Sequence, residues 1–310
     1  MIVNYLTIAF RNLAKYKVFS FINIVGMAIS LASCLLISIF VVDELSYDKH
    51  LEDADRKFRV YNIASQEGAT RYLPIVPYAF ALHMKADFPE IEEATRVMDT
   101  YQAQMFQLGD VKTMEPNGIF SESSVFDMLS IKLVYQTDSI LGRPLTVVLS
   151  ESLAKKYFGD SNPVGKSIKI DDTDREITGV FLDVPEQTHI RINFILPFAG
   201  TSWAKYMDNN FRRQQIFTYL KLKPGTDWKE LESKFIGFNE RHTVPQLAEL
   251  NLSYDTRLQN VKDVHLNSSN FEWEIAQRGD AQSIYILVAT AIMILGIACL
   301  NFVNLLRQGQ

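Results

Sequence analysis

The sequence predicts a membrane protein in which two transmembrane α-helices flank an α+β domain, and three observations predict it. Val18 to Val42 carries no charged residue, Ile284 to Leu306 carries none either, and the long stretch between them mixes strand and helix patterns. A helix rises 1.5 Å per residue and needs about 20 apolar residues to cross roughly 30 Å of hydrocarbon, so each run is long enough to span.

Ahead of the first run, Ile2, Leu6, Phe10 and Leu13 recur at helical spacing opposite Asn4, Arg11 and Lys15. This predicts a basic amphipathic helix over 1–17 lying on the inner leaflet. The first span is then 18–42, with Arg11, Lys15 and Lys17 before it and Asp43, Glu44 and Asp48 after it. Positive charge stays on the cytoplasmic side, which places the N-terminus inside. The second span, 284–306, returns inward to Arg307, and Phe19, Phe40 and Tyr285 stand where interfacial aromatics are expected.

Charge follows the same division. The whole chain has 31 basic and 36 acidic residues; setting aside Arg11, Lys15, Lys17 and Arg307 leaves 27 against 36 for the rest. That acidic balance excludes a nucleic-acid partner. Cys34 and Cys299, the two cysteines, lie inside the apolar runs and read as small hydrophobes, so the domain holds together by packing. Leu31-Ala32-Ser33-Cys34 resembles a lipoprotein cleavage box, but the apolar run continues past it to Val42.

Inside the spans, Asn23, Gly26, Ser30 and Ser33 recur at three- and four-residue steps, and Asn301 and Asn304 share a face of the second run. Small side chains let helices approach closely in lipid, and a carboxamide in hydrocarbon gains from a partner. These six are the candidate helix-contact residues; for Asn304 a position tolerated near the headgroups stands equally open.

The domain 43–283 reads as two β-α-β units. In the first, strand Phe58–Ala64 leads to a helix over Pro77–Phe88, closed by Pro89, and to strand Ile91–Val97. In the second, strand Ile216–Leu222 leads through Pro224-Gly225 to a helix capped by Asp227 with Glu230, and to strand Leu252–Val261. Between the units, Ser130–Phe198 is strand-rich, with candidates at 145–149, 167–170, 176–182 and 193–197. One short helix, Glu151–Phe158, is N-capped there by Ser150.

Patterns that hint at chemistry fail on inspection. Gly159–Ser167 (GDSNPVGKS) has five residues between its glycine and Gly165-Lys166 where a phosphate loop needs four, and Pro163 has no amide to offer. Gly200-Thr201-Ser202-Trp203-Ala204 lacks the last glycine of a nucleophile elbow. Asp171–Asp174 lacks the glycine and distal glutamate of a calcium loop and reads as a solvated turn. His50, His83, His189, His242 and His265 show no metal-ligand spacing. The sequence therefore offers no catalytic residue, cofactor site or metal site.

NYLTIAFRNLAKYKVFSFINIVGMAISLASCLLI, then DELSYDKH and ADRKFRVYNI, resembles the start of ABC transporter permeases of the MacB/FtsX-like type. VVLSESLAKKYFGDSNPVGKSIKI with ITGVFLDVPEQTHIRINFILPF is similar to that family's periplasmic core domain. TYLKLKPGTDWKELESK and RGDAQSIYILVATAIMILGIACLNFVNLL are similar to its later portion and second span. The resemblance implies a periplasmic domain with porter-like parts over 56–120 and 200–275 and an inserted subdomain over about 121–199. It implies a bacterial inner-membrane permease, itself not an enzyme, acting in export, efflux or envelope maintenance by mechanotransmission.

The implied partners are a cytoplasmic ABC ATPase subunit, the remaining permease spans or a second permease copy, periplasmic or outer-membrane proteins, and the lipid bilayer. Family members continue beyond Arg307–Gln310 with a coupling helix and further spans, so the expectation is an N-terminal portion of a permease or a short product. Two other classes stay in view: a two-span sensor that binds a ligand outside, and a membrane-anchored hydrolase built on Ser202.

Overall fold

The two uncharged runs become helices Lys17–Glu44 and Ala281–Arg307 in the computed structural model, which describes residues 17–201 and 204–307. The expected helix over 1–17 lies outside the described residues except for its last position. Both helices are long and apolar enough to cross a membrane. Three of their hydroxyls are turned back onto the helix backbone: Ser30 Oγ donates to the Gly26 carbonyl, Ser38 to Cys34 and Thr290 to Ile286, each at 2.8 Å. In hydrocarbon such a bond spares the hydroxyl the cost of desolvation. Asp280 caps the second helix, its carboxylate accepting from the Gln282 and Ser283 amides at 3.2 and 3.1 Å. The helix pair and the domain Tyr47–Gly279 are two separate units.

Among the described residues the domain holds fourteen strands. They are β1 Lys57–Gln66, β2 Ala69–Leu73, β3 Val76–Pro77, β4 Ile91–Asp99, β5 Gln104–Leu108, β6 Val111–Glu115, β7 Gly118–Ser121, β8 Leu133–Gln136, β9 Thr146–Ser150, β10 Ser167–Ile170, β11 Thr173–Phe181, β12 Phe194–Pro197, β13 Gln214–Leu222 and β14 Leu252–Asn260. Along the main path the order is β14-β1-β13-β4-β7-β12-β9-β11-β10-β5-β6, with β2, β3 and β8 paired to its sides.

The first four strands in that order form an antiparallel split β-α-β arrangement. Each β-α-β unit contributes two strands, and a strand of the other unit lies between them. The crossover helices are Ala79–Asp87 in the first unit and Trp228–Ser233 with Phe235–His242 in the second. Phe80 and Met84 lie one helical turn apart, with Phe88 just beyond the helix end; all three are buried over the sheet with Phe235 and Phe238. Phe80 meets Phe238 at 5.3 Å, and Phe88 meets Phe235 at the same separation. Removing any one of these rings costs about 3–5 kcal/mol.

The strands that follow β4 and precede β13 in the chain, β5 to β12, continue the same sheet, because β7 pairs antiparallel with β4 and parallel with β12. One hydrogen-bonded sheet therefore runs through both the split β-α-β part and strands β5 to β12, while the apolar core beneath it is divided. One cluster packs under the crossover helices, a second around Ile119, Phe181 and Ile195, and a third around Phe106, Leu149 and Phe194 beside helix Glu151–Phe158. Strand β13 is buried from Ile216 to Leu222, since both of its faces are covered. This central strand carries Tyr219, on which the site described next depends.

Candidate functional site

Two features carry the functional geometry. In the helix pair, the less exposed residues of the first helix include Ser20, Asn23, Met27, Ser30, Cys34, Ile37 and Val41, with Gly26 and Ser33 half-buried beside them. Those of the second include Ile284, Leu287, Ala291, Ile294, Ala298 and Asn301. Steps of three and four alternate along both, the heptad spacing by which one helix seats its side chains in the grooves of another. The helices run antiparallel: Cys34 Sγ lies 3.4 Å from the Ala291 carbonyl, and a Cβ at Gly26 would stand 3.9 Å from Asn301 Nδ2.

Of the six sequence candidates, Asn23 and Ser30 lie in the seam, Gly26 and Ser33 flank it, and Asn301 faces Gly26. The Asn304 side chain lies outside what the structure describes. Asn23 is buried, and its Nδ2 has no acceptor among the described residues.

The second feature is a buried polar joint in the large domain. Helix Lys17–Glu44 ends four residues before Asp48, which takes a left-handed backbone (φ 59°) and is 1% exposed. One of its oxygens, Oδ1, accepts from the His189 amide (3.0 Å), from His189 Nδ1 (2.7 Å) and from Thr188 Oγ1 (3.4 Å). The Asp48 amide donates to the Gln187 carbonyl at 3.0 Å. His189 Nε2 lies 3.1 Å from the Tyr219 hydroxyl on β13. With Nδ1 turned to the carboxylate, Nε2 faces the Tyr219 hydroxyl. Burial raises Tyr219 far above the ordinary phenol range, so it stays an O–H at every working pH. For Asp48, burial alone would raise the carboxyl; the charge and hydrogen bonds of His189 outweigh it and hold the group below its usual value.

The segment that leads to the second helix reaches the same histidine. The Gln277 amide donates to the His189 carbonyl at 3.0 Å, His265 Nδ1 donates to the Gln277 carbonyl at 2.7 Å, and the Gly279 amide donates to the His265 carbonyl at 2.9 Å. Tyr47 stacks flat on His265, ring centres 3.4 Å apart, and its hydroxyl lies 2.9 Å from the Gln277 side chain. Oriented with nitrogen toward Tyr47, that side-chain amide turns its oxygen to Arg191 at 2.5 and 3.2 Å. His189 is thus the residue to which the chain beside each helix is fastened.

A model of the MacB-like periplasmic core domain matches residues 20–237. The chain belongs to that family. Among solved structures, a domain assigned to a permease protein from Porphyromonas gingivalis is similar at 24% identity and TM-score 0.61, over 68% of this chain and 91% of that one. The periplasmic region of MacB from Actinobacillus actinomycetemcomitans gives 16% identity and TM-score 0.48 over the same shares. The extracellular domain of the noncanonic ABC-type transporter YknZ from Gram-positive bacteria gives 9% and 0.40, over 66% of this chain and all of that one. At these identities the first likeness speaks to fold, and the other two carry no further argument. No curated protein matches the chain.

Within this MacB-like domain the other sequence motifs take structural places. Ser150 caps helix Glu151–Phe158 by accepting from the Leu153 amide, and Asp227 accepts from the Lys229 and Glu230 amides. Glu230 turns to Lys234 at 3.2 Å and does not reach back to close a capping box. Asp171 and Asp172, both at positive φ, form the two-residue turn between β10 and β11. Asn162 Oδ1 accepts from the Val164 amide within the GDSNPVGKS turn. Ser202 lies outside the described residues.

Two of the five histidines meet: the rings of His83 and His242 lie 4.9 Å apart centre to centre, and His242 shares Asp87 with Arg241. The joint escaped sequence reading because 141 residues separate Asp48 from His189. Only the placement of Asp48 just past a span hinted at it.

Proposed function

We propose that this chain is the permease component of an ABC transporter and works by mechanotransmission. A separate cytoplasmic ATPase drives the membrane helices, and the large domain changes shape outside the inner membrane in response, without substrate passing between the helices. The observation that carries this reading is a domain of the MacB-like family continuous at both ends with a helix built on a long uncharged run, the two helices sharing a heptad seam. Spans without ionisable groups suit transmission of movement better than a polar transport path. In this reading the N-terminus is cytoplasmic, as Lys17 at the start of the first helix and Asp43 and Glu44 at its end favour. Asn23, Gly26, Ser30, Ser33, Asn301 and Asn304 then serve close helix contact in lipid.

Affinity isolation from native membranes tests the assignment. It is expected to recover an ATPase subunit together with further permease spans or a second permease copy. Repeated recovery of a signalling kinase without any ATPase would overturn it. Protease added to intact spheroplasts is expected to cut within 47–279 and to leave residues 1–17 untouched.

A further inference from the structure

The joint around His189 is more than a fold-stabilising contact. Asp48 stands four residues from the end of the first helix, and Gln277 four residues from the start of the second. Linkers this short span little more than 10 Å when fully extended, so they have little slack in which to lose a displacement. Both end on one residue: Asp48 holds the His189 ring and amide, and Gln277 holds its carbonyl. The ring then reaches Tyr219 in the middle of β13, a strand that pairs with β1 on one side and β4 on the other. Asp48, His189 and Tyr219 are each at most 1% exposed, so breaking any of their bonds strands a polar group away from water. Residues 182–193, which carry His189, form neither helix nor strand and lead directly into β12.

We propose that Asp48, His189 and Tyr219 are positioning residues that pass movement of the chain beside the two helices to the central strand β13. This rests on the mechanical reading above and adds to it a route.

The test uses the full chain in lipid nanodiscs of two thicknesses, dimyristoleoyl- and dierucoyl-phosphatidylcholine. Bilayer thickness sets the tilt of a long span and so displaces its ends. Hydrogen exchange is read at the amides of Asp48, His189, Gln277 and Gly279 and along β13. In the parent, both sets are expected to change by about threefold or more between the two lipids. Tyr219→Phe removes one hydroxyl and keeps the ring; the joint amides should still respond while the response of β13 is lost.

If β13 responds equally in Tyr219→Phe, the route is wrong although the mechanical reading stands. The same holds if β13 responds in the parent while the joint amides do not. If nothing in 47–279 responds in the parent, the mechanical reading fails and the route with it. Asp48→Asn, which keeps the shape and an acceptor, gives a second handle should Tyr219→Phe unfold. It is expected to weaken the response at Gln187–His189 before that at Gln277, and a uniform loss at all positions would count against the route.

Discussion

Arg59 on β1 and Glu274 in the segment before the second helix meet at 2.6 Å, with both side chains wholly withdrawn from solvent. The guanidinium also donates to Gln259 and Ser268 and lies 5.2 Å from the centre of the Phe271 ring. Two buried charges satisfied mainly by each other make the pair costly to break and cheap to replace. Glu274→Gln is expected to cost about 3–5 kcal/mol, because it leaves a buried cation uncompensated. Arg59→Met with Glu274→Leu should recover most of that loss. Denaturant unfolding of the full chain in micelles, followed by near-ultraviolet circular dichroism, measures both; a double variant weaker than the single would refute the argument.

Asp48 gives a pH dependence with a definite sign. Its carboxyl titrates lower in the folded domain than in an unfolded chain, where the ordinary value is about 3.9. A depressed carboxyl contributes stability fully above the unfolded value, and the contribution is lost as pH falls through the folded one. The domain should therefore lose this contribution below about pH 4. Asp48→Asn should be less stable at pH 7 and should lose less stability than the parent between pH 5 and pH 3. Parallel acid limbs for parent and variant would show that His189 does not hold the carboxylate as described.

Gly118 on β7 stands against Phe194 on β12, its partner in the sheet register. A Cβ at Gly118 would fall 2.1 Å from the nearest atom of the Phe194 ring, which is itself fully buried. Gly118→Ala must displace that ring from the third core cluster, and overpacking of this kind costs about 1–3 kcal/mol. The expected outcome is a lower denaturation midpoint with partial rescue by Phe194→Leu. A neutral Gly118→Ala would mean the ring has room to move.

The fold class was legible because its signals are local. An uncharged run of span length, the proline at 89 that stops a helix, and the alternation of Ile216–Leu222 each act within a few residues. The hairpin β5–β6 was missed although Gly109-Asp110 is a turn signal. Gln104, Gln107, Lys112 and Glu115 dilute its apolar alternation. The pairing of β4 with β7, which runs one sheet through both parts of the domain, is a long-range choice that no local pattern encodes. The Asp48–His189–Tyr219 joint is illegible for the same reason, since it needs three distant segments brought together. In the helix pair, spacing singles out Asn23, Gly26, Ser30 and Ser33 as candidates, but Met27, Cys34 and Ile37 are apolar among apolar neighbours and nothing marks them.

The seam makes the last prediction. Gly26→Ala would put a methyl group at ordinary contact distance from Asn301, so it should leave the helix pair intact, whereas Gly26→Leu should push the helices apart. Asn23 differs, because its Nδ2 is buried without an acceptor among the described residues. Replacing an unsatisfied buried donor by an apolar side chain of similar size should be neutral or stabilise the pair by about 1–2 kcal/mol. Proximity is read by oxidative cross-linking of Cys34 to Ala291→Cys in membranes, with Cys299→Ser to remove the other thiol. Asn23→Leu and Gly26→Ala should cross-link at the parent rate and Gly26→Leu more slowly. Slower cross-linking in Asn23→Leu would instead show that the amide holds the helices together through an acceptor.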